Sequence, residues 1–222
     1  MEVMKIVKTT DKTKRYYEVQ EFRALEPTEE NDNKYIIEGY AVIYGERTQI
    51  GDFFYEIVKQ GALDGADLTD VPLFVHHNNN KIPLARSRNN NGNSTMTLTP
   101  DNRGLFFSAE LDVENNSEAK ALYSAIKRGD ISGMSYAFNV KEEVWKDVDT
   151  EMPTREIEKF NKIYEISALW SPQYEGTNIN ARDGELDSSD KEALESAKST
   201  LDSEKRGQKL ELLRQKTLLK FK

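Results

Sequence analysis

The chain has 222 residues, enough for one domain with a substantial core and an appendage. Hydrophobic residues make up 37% and charged residues 32%, so part of the chain is expected to be extended or exposed. There is no cysteine, the net charge is −8 and no apolar run is long, which excludes disulfides, zinc–thiolate sites and cysteine nucleophiles and argues against nucleic acid as a main partner, a signal peptide or a membrane span.

In chain order, RYYEVQEFRAL (residues 15–25) predicts a strand, EPTEENDN a polar break, and KYIIEGYAVIYG (residues 34–45) a second strand. Phe53 to Val58 suits a third. QGALDGADLTD suits a turn with a short helix, and Val71 to His77 an apolar strand ending in two histidines. Asn-rich tracts, read as hairpin turns, flank the short strand IPLARS. A hairpin follows with its turn at Pro100–Gly104. Met96 and Leu98, then Leu105, Phe107 and Ala109, alternate as one buried face. Next comes a helix capped by Asn116 or Ser117, with a stripe of Ala119, Leu122, Tyr123 and Ile126, ending near Gly129. ISGMSYAFNV and EEVWKDV are strand-like, DTEMPT is a turn, and REIEKFNKIYEISALWSP carries one or two more strands.

Beyond Gly184 the composition changes. Ser189 and Glu192 have capping-box spacing, and Leu194, Leu201, Leu210, Leu213 and Leu218 are sparse among charges. This predicts one or two exposed helices, broken at Gly207, that lack a core of their own and pack on a partner or a second copy, or move freely. From Asp183 to Lys222 nine acidic and nine basic residues cancel, so the net charge belongs to the preceding body. Lys205 to Lys222 hold seven basic residues and one acidic, most simply a solvated helix face. The expected division is therefore residues 1–184 as one domain and 185–222 as a charged helical tail. The expected fold class is α+β, mainly antiparallel β and barrel-like, with about ten short strands and one clear helix in the body.

The histidine inventory restricts the chemistry most. There are two, His76 and His77, so an imidazole base must come from this pair. On an extended strand they would face opposite sides, a poor arrangement for chelating one metal. Ser132, Ser135 and Ser167 can be weighed as nucleophiles. Ser135 has Gly133 two positions before it, a small residue where backbone must approach closely, but position 137 is alanine and the G-x-S-x-G elbow is absent. Glu165 is a carboxylate in an otherwise apolar strand, which suits a group orienting a histidine. Taken singly, each residue is explained at least as well by ordinary structure: polar strand-end histidines, a buried serine, a strand-edge carboxylate.

Taken together and in order, the segments resemble the prohead (capsid-maturation) serine protease family of tailed phages, the HK97 type. Residues 38–62 resemble its opening strands, with Phe54, Tyr55, Glu56, Gly61 and Ala62 in the matching element. VPLFVHHNNNKIPLARS resembles the block that carries the family's catalytic histidine, and the match falls on His77 and not His76. TLTPDNRGLFFSAEL resembles a family hairpin, and IKRGDISGMSYAFNV the serine block, with its serine at Ser135. IYEISALWSPQYEGTNI resembles the block with the acidic position, here Glu165. The blocks cover about residues 35–180. His76, Asn78, Tyr136-Ala137 and Trp170-Ser171-Pro172 depart from the family's usual residues.

The resemblance implies a barrel of mostly antiparallel strands with surrounding helices, similar to the herpesvirus assemblin proteases. It implies a dimer-forming or higher-oligomeric serine endopeptidase with Ser135 as nucleophile, His77 as base and Glu165 orienting it. Backbone amides would form the oxyanion hole, with Arg86 a lesser candidate, and no metal or organic cofactor is implied. The implied substrates are a scaffold, the N-terminal extension of the major capsid protein, and the enzyme itself. The implied location is the procapsid in the host cytoplasm, without membrane or specific nucleic-acid partners. The competing expectation is a non-enzymatic scaffold or assembly protein that keeps the protease fold, which the charged tail would suit.

Overall fold

A computed structural model describes residues 3–7, 12–18, 21–170 and 186–220. The segment from Ser171 to Glu185 lies outside the described residues. With it go the end of the acidic block and the expected domain boundary.

The described chain is a mixed α+β fold in which strands dominate. The strands are β1 (Val3–Val7), β2 (Thr13–Glu18), β3 (Arg23–Leu25), β4 (Ile36–Ile43), β5 (Arg47–Ile50), β6 (Phe54–Val58), β7 (Pro72–Val75), β8 (Ala85–Arg86), β9 (Met96–Pro100), β10 (Gly104–Glu110), β11 (Gly133–Lys146) and β12 (Thr154–Leu169). The helices are α1 (Ser117–Arg128) and α2 (Ser188–Lys220). One eight-stranded sheet follows the order β1-β11-β12-β6-β5, with β2 also on β11, β7 on β12 and β8 on β7. A four-stranded sheet runs β3-β4-β10-β9. Both are open, so among the described residues there is no closed barrel, and the barrel-like expectation is corrected to two sheets.

Sequence and structure differ most where strands merge or split. The stretch expected as one strand over 15–25 divides into β2 and β3, which join different sheets. Conversely, GMSYAFNV and EEVW form one 14-residue strand, and β12 runs for 16 residues. Register shifts after Ala137, Asn139, Val140 and Glu142 let these long strands bend without breaking.

The main core lies between the two sheets and α1. Leu105, Phe107 and Ala109 of β10 are buried with Met134, Tyr136 and Phe138 of β11 and the α1 stripe Ala119, Leu122, Tyr123 and Ile126. Helix α1 begins because the Asn116 side chain accepts the Glu118 and Ala119 amides, and it ends at Gly129, whose φ of 81° suits glycine.

Helix α2 is continuous through Gly207, and its entry is held by Asp187, whose carboxylate accepts the Ser189 amide, rather than by a Ser189–Glu192 box. Its first half packs on the body. Ala193, Leu194, Ala197 and Leu201 form a second core with Ile50, Phe54, Trp145 and Val148. No helix among the described residues is long and apolar enough to cross a membrane.

Candidate active site

Strand register brings Ser135 and Glu165 to one face. In the antiparallel β11–β12 ladder, Ser135 lies opposite Ser167 and Ala137 opposite Glu165. Directly opposed residues share a face, as do residues two apart, so Ser135, Ser167 and Glu165 do too. Ser135 and Glu165 are therefore diagonal neighbours, about 7–8 Å apart at the backbone. That gap suits an imidazole ring bonded at both ends.

The ring arrives from the other side of β12. Strand β7 runs parallel to β12, with Phe74 beside Ser167 and Val75 beside Ala168, where the chain leaves β7. His77 Nδ1 lies 2.6 Å from Glu165 Oε1, and His77 Nε2 lies 2.6 Å from Ser135 Oγ. Ser135 and Ser167 are buried, Glu165 nearly so, and His77 is partly open to solvent.

An ionised carboxylate only accepts hydrogen bonds, so the neutral imidazole carries its proton on Nδ1 and donates it to Glu165. That leaves the Nε2 lone pair to accept the Ser135 hydroxyl. Burial pushes the Glu165 carboxyl up. The His77 hydrogen bond and charge, with Lys14 and Lys12, outweigh burial and hold it below its ordinary value. The arrangement can therefore take a proton from a serine hydroxyl and stabilise the resulting imidazolium.

The histidines do not diverge by strand alternation, as expected from sequence. β7 ends at Val75, and His76 and His77 both take left-handed backbone conformations, with φ of 53° and 54°. Such residues cost of order 1–3 kcal/mol each and persist where neighbours over-determine them. Here the His76 amide donates to Ala168 O at 3.1 Å and the His77 amide to Ser167 Oγ at 3.2 Å. The turn sends His77 to Ser135 and lays the His76 ring against Trp170, with ring centroids 3.7 Å apart. Among the described residues His76 Nε2 is buried without a hydrogen-bond partner, and burial, then the nearby His77 charge, favours its neutral form.

Ser167, weighed from sequence as a nucleophile, instead supports the His77 backbone. The Arg86 guanidinium is engaged by Asp70 at 2.6 and 2.8 Å on the surface. Sequence reasoning did not find the Ser167 bond, because it depends on the β7–β12 register.

The family described as caudovirus prohead serine protease matches residues 21–192. The prohead protease of Enterobacteria phage HK97 is 29% identical over 150 residues, spanning 66% of this chain and 59% of that protein. Among solved structures, the bacteriophage T4 capsid assembly protease, gp21, matches with a TM-score of 0.41 and 11% identity, covering 73% of this chain and all of that one.

Proposed function

The chain belongs to the caudovirus prohead serine protease family, and from that premise we propose that it is a serine endopeptidase of phage head maturation, with Ser135 as nucleophile, His77 as base and Glu165 as orienting carboxylate. The observation that carries this reading is the unbroken chain of 2.6 Å contacts from Glu165 through His77 to Ser135. As Ser135 Oγ attacks a scissile carbonyl, its proton moves to His77 Nε2. The same nitrogen then protonates the departing amine, and water resolves the acyl-enzyme by the reverse sequence. Glu165 holds the tautomer and stabilises the cation without taking a proton itself.

In this reading the substrates are the scaffold and the N-terminal extension of the major capsid protein, and the enzyme also cleaves itself. It works as a dimer or higher oligomer inside the procapsid in the host cytoplasm. Residues 1–184 carry the protease machinery, and 185–222 form a helical tail whose first half, through Leu201, packs on that domain. A kinship with the assemblin fold belongs to the same proposal. Co-expression with the capsid protein and scaffold of the same phage tests the reading. Ser135→Ala should lower processing about 10⁶-fold, leaving full-length substrates on a gel. Normal processing by the folded variant would overturn the assignment.

A further inference from the structure

A groove of about 540 Å³ opens beside the candidate active site, between the segment following β7 and one face of α1. Its volume falls in the range of ligand-binding clefts, roughly 300–1,000 Å³, and exceeds the space of one side chain. Eight of its twelve lining residues are apolar. Phe74, Leu122 and Ile131 are largely buried, the last two within the main core. Ala121 and Ala125 supply the helix wall, where a larger residue would take up the space. Lys81 and Glu118 pair at 2.7 Å and tie the two walls together.

Two observations connect the groove to catalysis. His76, one of its lining residues, is bonded in sequence to His77, and Ile131 leads directly into the strand that carries Ser135. In addition, large exposed apolar side chains cluster here. Ile82, on the groove wall, is 82% exposed, and Trp170, against His76, is 60% exposed. The other large exposed apolar residues among those described are leucines in the second half of α2. Apolar surface held open beside a reactive centre marks a contact site.

Resting on the protease reading above, we propose that this groove is the specificity subsite and that it selects a segment of protein substrate with a bulky aliphatic side chain beside the scissile bond. Burial of that side chain against Phe74, Ile82 and Leu122 supplies the selectivity. Small polar residues gain less there, because Phe74, Ile82 and Leu122 give them no hydrogen-bonding partner.

The test is the cleavage profile of the full chain on a proteome-derived peptide library, read by mass spectrometry. The wild type should enrich Leu, Ile, Met or Val at one fixed position near the cleaved bond. Ala125→Phe should narrow the groove and lower kcat/KM for such peptides about tenfold or more, shifting the preference to smaller residues. Ile82→Asp, on a side chain too exposed to matter for folding, should lower it similarly. A profile without aliphatic preference, or variants with an unchanged profile, would overturn the subsite. So would a wild type that cleaves nothing although a fluorophosphonate labels its Ser135. Absence of that label would instead remove the protease reading itself, and the subsite with it.

Discussion

His77 reaches both of its partners only because its backbone bends into the left-handed region directly after β7, where the Ser167 hydroxyl receives its amide. The ring then spans a diagonal pair on two other strands. Glu165 fixes which nitrogen faces Ser135, so replacing it should damage the rate more than the binding. Glu165→Gln, which can present an amide proton to Nδ1 and invert the tautomer, should lower kcat about 10³–10⁴-fold while KM stays within a few-fold. Steady-state kinetics on a cleaved peptide reads both constants, and an unchanged kcat would mean that another group orients the ring. Both the serine and the histidine were legible as positions because their blocks stand in family order. The left-handed turn and the role of Ser167 were not, since each follows from pairing between strands some 90 residues apart in sequence, as the Ser167–His77 bond is.

At the scale of elements, the first turn of α2 is clamped by buried charge. Asp190 accepts from Arg15 at 2.8 and 2.9 Å and from Arg155 at 2.9 Å. Arg15 also grips Glu56 through two 2.7 Å bonds, and Arg155 and Trp145 both donate to Glu143 at 2.8 Å. All five charged groups are buried. Removing one partner from such a cluster strands the others, so Asp190→Ala should cost about 3–5 kcal/mol, measured by urea unfolding at neutral pH. Burial pushes the Asp190 carboxyl up, but Arg15 and Arg155 together hold it below its ordinary value. A depressed carboxyl stabilises the fold above its unfolded pKa, near 4, and loses that contribution as pH falls through its folded pKa. The gap between wild type and variant should therefore close toward acid pH, and a gap that widens there would contradict this. None of this was legible in the sequence. Arg15, Glu56, Glu143, Arg155 and Asp190 are ordinary charged residues in polar or alternating contexts, and only the sheet order and the docking of α2 bring them together. Local signals fared better: the α1 cap at Asn116, its buried stripe and its stop at Gly129 were all readable because each is settled within one turn of chain.

Across the whole molecule, the tail is two things in one helix. Through Leu201 it belongs to the body, covering Trp145 and Phe54, which meet edge to face at 5.1 Å. From Asp202 onward the described side chains are exposed, including Leu210, Leu212, Leu213 and Leu219. The composition predicts a tail that packs on a partner or moves freely, whereas the first half of the helix packs on the body; the alanines at 193 and 197 gave little sign of this, because small residues carry a weak hydrophobic pattern. A chain ending at Glu204 should keep a Tm within about 4 °C of the full protein, roughly what 1 kcal/mol is worth at this size. Ending it at Leu186 removes Asp190 and the packed turn, and the Tm should fall well beyond that. Equal melting of the two truncations, followed by calorimetry, would show that α2 does not brace the body.

In the proposed enzyme everything depends on Ser135 being an activated nucleophile. Mass-spectrometric mapping of the adduct formed by a fluorophosphonate with the full wild-type chain tests it most directly. One phosphonylated residue, Ser135, is expected, with labelling lost in His77→Ala. An adduct on Ser132 or Ser167, or no adduct on the folded protein, would contradict it.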